Sequence, residues 1–261
     1  MSTEEFIIAL FDRVDDAMGA VAKHPQAALY PSELVTLALL FALKGVGERP
    51  FYRWLARDWL PLFPRLPERT RLFRLFVAHQ DWIDHFRADP TLLGVADTYG
   101  IELIHPWREG RSPQQIGKKG MSNHRWIVGG KLALVLNQWG RVSAWECATA
   151  NVHDTTFHPL VAQFAGEMIV LVDGGFHAAA GDPENMKICH KGEWNDRMMV
   201  ETVLGMLTVV CHFKHMRHRV WGYFHAHLAA AMAMFNVLVA WQGLIPDDEG
   251  RTHLSIAGFS L

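Results

Sequence analysis

Residues 168–175 read Met168-Ile169-Val170-Leu171-Val172-Asp173-Gly174-Gly175. Five consecutive apolar residues predict a strand covered on both faces, as in the parallel part of an α/β sheet. The run stops on a carboxylate followed by two glycines. An Asp at the end of a buried strand lies where a glycine backbone lets a ligand come close. In isolation the same pattern also describes a turn former or a cap, so its meaning depends on what surrounds it.

Upstream, Leu92-Leu93-Gly94-Val95-Ala96-Asp97 predicts another buried strand that ends in an acid. Trp126 to Asn137 predicts a second strand, turning at Gln138-Trp139-Gly140, and Val142 to Thr149 a third. Asn151-Val152-His153 makes a turn, and Asp154 is placed to cap a helix over Thr155 to Gly166. Downstream, a short strand is expected over Met186 to Cys189, then helices over Asn195 to Phe213 and Tyr223 to Gln242. This order describes an α/β fold with a mixed sheet flanked by helices.

Residues 1–88 read as helical. Ser32 can cap a helix that runs to Leu43 and stops at Gly45-Val46-Gly47. A second helix begins at Phe51, and after Pro61, Pro64 and Pro67 a third covers Thr70 to His79. The division expected is a small helical region at 1–88, an α/β domain at 89–245 and a tail at 246–261.

The chain has 261 residues, 50% hydrophobic and 20% charged, which suits a globular fold and not a disordered one. Cys147, Cys189 and Cys211 are widely spaced and odd in number, so a disulfide scaffold is excluded and a reducing compartment fits. The acidic N-terminal stretch, its apolar run broken every few residues, does not read as a secretory signal, so a cytoplasmic, nucleoid-associated location is expected. The formal charge is -2, but the acids crowd the two ends. Between residues 20 and 246 lysines and arginines number 23 against 19 acids, a balance that permits nucleic-acid binding without establishing it.

A third carboxylate completes a chemical pattern. Trp194, Arg197 and Glu201 are spaced by three and four residues on the last predicted helix before the apolar one, so they share a face. If Asp97, Asp173 and Glu201 converge, three negative charges form an oxygen cage that is unfavourable without cations. Magnesium prefers such hard oxygen ligands, and two ions about 3.5–4 Å apart can activate the attacking oxygen and stabilise the leaving oxygen of a phosphodiester. Arg197 can orient Glu201 or touch a phosphate oxygen. The bland alternative for Arg197 and Glu201 is a surface ion pair.

The order Asp, Asp, Glu on strand, strand and helix resembles the DDE transposases of bacterial insertion sequences. The segments ANVHDTTFHPL, IVLVDGGFH, WNDRMMVETVLGML and HFKHMRHR carry the resemblance, which spans roughly residues 90–242. It implies a ribonuclease-H-like (integrase-like) catalytic domain, with Asp97, Asp173 and Glu201 as catalytic residues and ligands of two Mg²⁺ ions, Mn²⁺ being able to substitute. It also implies cleavage at insertion-sequence ends and strand transfer into target DNA, by a homodimer or larger assembly on double-stranded DNA. No membrane and no small-molecule substrate enter that activity. Two positions depart from the family pattern: Gly174 stands where a lysine is common, and Thr208 where another is.

Several cations are candidates for DNA contact. Arg53 and Arg57 belong to an arginine-rich stretch between Arg49 and Arg74. Lys118, Lys119, Arg125 and Lys131 lie in a segment, Arg108 to Lys131, where six cations face Glu109 alone. Lys214, Arg217 and Arg219 alternate with His212, His215 and His218. Cys211 with those histidines is an alternative zinc set, although its spacing fits no closed four-ligand pattern.

Three rival readings remain. One is an inactive or domesticated relative that binds DNA without cutting it. Another is a general ribonuclease-H-like nuclease. The third is a helical membrane or interaction protein built on the apolar segment Phe224 to Ile245, although His225, His227, Asn236 and Gln242 within it favour a buried helix.

Overall fold

A computed structural model describes residues 1–19, 21–122, 124–189, 198–243 and 254–259. The chain divides into two compact units. The first comprises Met1–Phe86, Leu207–Trp241 and Ile256–Leu261, and the second Arg87–Met206 and Gln242–Ser255. Residues 207–241 group with the N-terminal helices.

The first unit is helical. It contains α1 (Thr3–Met18), α2 (Pro31–Lys44), α3 (Glu48–Asp58), α4 (Arg69–Ala78) and α7 (Trp221–Gln242). The start of α2 shows how local chemistry places an element. Ser32 is inside the helix and buried; Pro31 takes the first helical position, where a missing N–H costs nothing. Glu33 accepts the Tyr30 backbone N–H at 2.6 Å, so the cap lies two residues before the expected one. From Leu34 to Leu43 every residue of α2 is buried, each large side chain contributing about 1.5–3 kcal/mol. Phe41 is the hub: its ring lies 5.1 Å from Phe51, 5.0 Å from Phe73 and 4.3 Å from the His227 imidazole of α7.

Helix α7 is long and apolar enough to cross a membrane, and 83% of its apolar window is buried. Two of its polar residues, Asn236 and His225, have partners within the helical unit. Asn236 donates to the Phe86 carbonyl at 2.8 Å, and His225 Nδ1 meets Gln80 Oε1 at 3.1 Å. Phe6 of α1 stacks on Trp241 with ring centres 5.2 Å apart. Burial against these neighbours accounts for the apolar composition of the helix.

The second unit is a mixed six-stranded sheet with helices, in plain terms α/β. Its strands are β1 (Leu93–Ile104), β2 (Lys118–Ser122), β3 (Arg125–Asn137), β4 (Val142–Thr149), β5 (Ile169–Val172) and β6 (Met186–Ile188). The order is β2-β3-β1-β5-β6, with β4 also paired to β3. β3 runs antiparallel to β1, β2 and β4, whereas β5 is parallel to both β1 and β6. One face carries Ala96, Ala133, Val135, Ala144, Val170 and Val172, which pack under Phe157, Leu160, Val161 and Phe164.

Several elements differ from expectation. β1 continues seven residues beyond Asp97 because β3 supplies a partner along its whole length. β2 carries no apolar alternation, so no strand signal marks it. The helix expected over Thr155 to Gly166 is a 3-10 turn, Asp154–Phe157, followed by the short α5 (His158–Ala162), and His153 caps the turn instead of Asp154. Helix α6 (Met198–Val209) ends before Phe213, and His212 lies in the left-handed region at φ 51°.

Candidate functional site

The pairing of β1 with β5 places the two aspartates. β1 and β5 pair in parallel as Leu93↔Ile169, Gly94↔Val170 and Val95↔Leu171. Asp97 and Asp173 each follow the last of these pairs by two residues, Asp97 within β1 and Asp173 just past the end of β5. The period-two alternation puts Asp97 on the face of Val95, opposite to the Ala96 and Val172 face. Both aspartates are half-buried. Asp97 Oδ1 accepts the Thr98 N–H at 2.7 Å, and Asp173 Oδ1 accepts the Gly175 N–H at 2.8 Å, closing the turn Gly174–Phe176.

A third acid, Asp154, which its sequence position marks only as a cap, is held on the Thr98 side of the sheet, the face opposite to that of Asp97. Asp154 Oδ1 accepts from the Thr98 hydroxyl at 2.9 Å and from Lys131 Nζ at 2.8 Å. A Cβ on Gly175 would lie 2.8 Å from Asp154 Oδ2 and 3.0 Å from Asp173 Oδ1. The two carboxylates therefore converge on a spot that only glycine leaves open. Lys131, a candidate for DNA contact by sequence, has a different role. Its side chain is only 14% exposed and bound to Asp154, so its charge balances a carboxylate inside the fold. A lone lysine in the apolar strand Trp126 to Asn137 is the signal that such a partner has to exist.

The segment after Asp173 is held by polar contacts. His158 Nε2 donates to the Phe176 carbonyl at 2.6 Å. Asp182 accepts the Ala178 N–H at 2.8 Å and meets His177 Nδ1 at 2.8 Å. The Ala178 N–H and then the His177 contact hold the Asp182 carboxyl below its ordinary range.

Glu201 is exposed on α6. Met199, half a turn before it, lies 3.3 Å from the Cβ position of Gly140, in the β3–β4 turn. That turn follows Asn137, which pairs with Gly94, three residues before Asp97 and so about 10 Å along the strand. Among the described residues no group of three or more His, Cys, Asp and Glu side chains is drawn together to hold a metal ion. Asp97, Asp173 and Glu201 therefore do not form such a group. Trp194 and Arg197 lie outside the described residues.

The candidate DNA-contact residues sort by their partners. Arg57 is bound bidentately to Asp58 at 2.6 and 2.8 Å. Lys119 is 3.1 Å from Glu109 and 5.6 Å above the Trp126 ring. Arg53, Lys118, Arg125, Lys214, Arg217 and Arg219 are exposed. Lys118 and Arg125 share the β2–β3 pair with Met121 and Trp126, which face each other across the strands and are 55% and 56% exposed. Burial pushes the Cys211 thiol up to about 12, and among the described residues Cys211 and the histidines near it form no group drawn together to hold a metal.

No family model matches the chain, and no curated protein matches it.

Proposed function

We propose that the chain is a metal-dependent phosphodiester-processing enzyme, and specifically a DDE transposase of the insertion-sequence type with a ribonuclease-H-like sheet. What supports this reading is the parallel pairing of β1 and β5, whose last pair, Val95↔Leu171, is followed two residues on by Asp97 and by Asp173. Two carboxylates so placed are a hard oxygen donor set, which fits Mg²⁺. Asp97 and Asp173 would hold the ions, and Glu201 would join them once DNA and metal are present. Bound Mg²⁺ supplies activation of water or a 3′-hydroxyl and stabilisation of the leaving oxygen.

The protein's own contribution is placement. The Gly175 N–H fixes the Asp173 carboxylate, and the Thr98 N–H fixes Asp97. Lys131 neutralises Asp154 at 2.8 Å, which keeps a further negative charge from competing at the site. The β2–β3 pair, with Lys118, Arg125, Met121 and the Trp126 ring, combines cations with stacking surface, the composition suited to a nucleic-acid backbone and its bases.

The test is cleavage of DNA carrying the sequences that flank the reading frame, with and without Mg²⁺. Wild-type protein cuts only with the metal, and Asp97→Asn and Asp173→Asn each abolish cutting while retaining the fold. Undiminished cutting by Asp173→Asn removes the assignment. A second reading, a relative that binds DNA without cleaving it, is favoured by the exposed position of Glu201 away from the aspartate pair. It expects metal-independent DNA binding and no cleavage in the wild type.

A further inference from the structure

The helical unit contains a cleft of about 420 Å³ that the reading above does not use. One wall is the α2–α3 turn, Gly45 to Pro50; the other is His212 to His218. Three guanidinium groups line it, Arg49, Arg69 and Arg217, against the single carboxylate of Glu48. Glu48 already lies 3.8 Å from Arg69, and burial raises its pKa. Helix α3 starts at this wall from Gly47, and no side chain caps its first amides. An uncapped helix start directs partially positive N–H groups outward.

The floor of the cleft is made of imidazoles. His212 takes a left-handed backbone conformation, and its ring occupies the space where a Cβ of Gly45 would be. Gly45 itself has φ 62°. His218 Nε2 lies 2.8 Å from His227 Nδ1. His227 is only 9% exposed, and its Nε2 is buried with no hydrogen-bond partner. When His218 donates to His227, the remaining His227 nitrogen carries a hydrogen and is a donor awaiting an acceptor. Such a group in a native fold calls for a bound partner.

We propose that this cleft binds a phosphate group, gripped by Arg49, Arg69 and Arg217 and by the Glu48 and Arg49 amides at the start of α3, with the His218–His227 pair closing its floor. The forked guanidinium matches phosphate oxygens bidentately. A helix start adds donors without requiring a counter-charge. A metal is the wrong ligand for a wall of arginines. The phosphate can belong to a nucleic-acid strand terminus or to a free phosphate compound, since the recognising chemistry is shared. The proposal goes beyond the metal-dependent reading and does not depend on it.

The full chain is titrated with inorganic phosphate, followed by calorimetry and by the imidazole NMR signals of His218 and His227. A 5′-phosphorylated oligonucleotide and its unphosphorylated counterpart are then compared. Saturable phosphate binding that moves both imidazole signals is expected, and Arg49→Gln with Arg217→Gln weakens it about tenfold or more at an unchanged unfolding midpoint. Tighter binding of the phosphorylated oligonucleotide identifies the strand terminus as the source. Equal binding of the two oligonucleotides, with inorganic phosphate still bound, identifies a free phosphate compound. Asp173→Asn retains phosphate binding, which separates this site from the aspartate pair. No saturable binding of phosphate, or binding unaltered in the double arginine variant, overturns the proposal.

Discussion

Acidification from about pH 7.5 to about pH 5 should cost this protein about 4 kcal/mol of stability through two side chains alone. Burial pushes His218 down to about 4 and His227 down to about 3, from the ordinary 6.5; the neighbouring His218 and His212 rings add to the effect at His227. Both are therefore neutral in the folded state at pH 5, while in the unfolded chain both are protonated. Stability from this source is fully present above the unfolded pKa of 6.5, is lost as pH falls below it, and levels off as pH passes the folded values. At pH 5 the unfolded chain gains about 2 kcal/mol for each histidine. The assay is urea unfolding at both pH values, read as a shift of midpoint at constant slope. Glu48, His212 and His225 also have shifted pKa values, so the decisive comparison is the pH shift of wild type against that of His218→Gln/His227→Gln. Equal pH shifts in the two proteins would refute the reasoning, because the buried pair would then contribute nothing to the proton balance.

Other outcomes follow from the sheet unit. Lys131→Met leaves the half-buried Asp154 carboxylate without its cation and should destabilise by about 2–3 kcal/mol, whereas Lys131→Met/Asp154→Leu recovers part of the loss; a chemical-denaturation cycle measures both. Gly175→Ala places a methyl group 2.8 Å from Asp154 Oδ2 and 3.0 Å from Asp173 Oδ1. It should lower Mg²⁺-dependent cleavage more than it lowers the melting temperature, and a parallel fall in both would mean that Gly175 only supports the fold. Lys118→Glu/Lys119→Glu should weaken DNA binding and flatten its salt dependence by about 0.9 for each phosphate no longer neutralised, checked by binding isotherms over a salt series.

The strands are legible where burial dictates composition. The run Met168 to Val172 announces β5, and Val142 to Thr149 is β4 to the residue. β2 is hidden because Lys118, Lys119 and Ser122 reflect an exposed edge and not a buried face. The parallel register of β1 and β5 cannot be read from either strand alone, since it is a property of their pairing. Asp154 is legible as a helix start but not as a partner of Lys131, which comes from a strand 23 residues earlier. The association of α7 with the N-terminal helices is also beyond local reading. It depends on Phe41 meeting His227 and on Phe6 meeting Trp241, pairings between opposite ends of the chain.

That discontinuity has a consequence for biosynthesis. The helical unit needs residues up to Trp241, whereas most of the sheet unit lies in the stretch Arg87–Met206 between its parts. As the chain leaves the ribosome, the sheet can begin to organise while Phe6 and Phe41 still wait for α7. A message cut short before the start of α7 at Trp221 therefore yields a product whose amino-terminal helices lack their central packing partner, exposed to proteases and chaperones. The cleft is walled by residues 45–50 and 212–218 and floored by His227, so such a fragment lacks its floor.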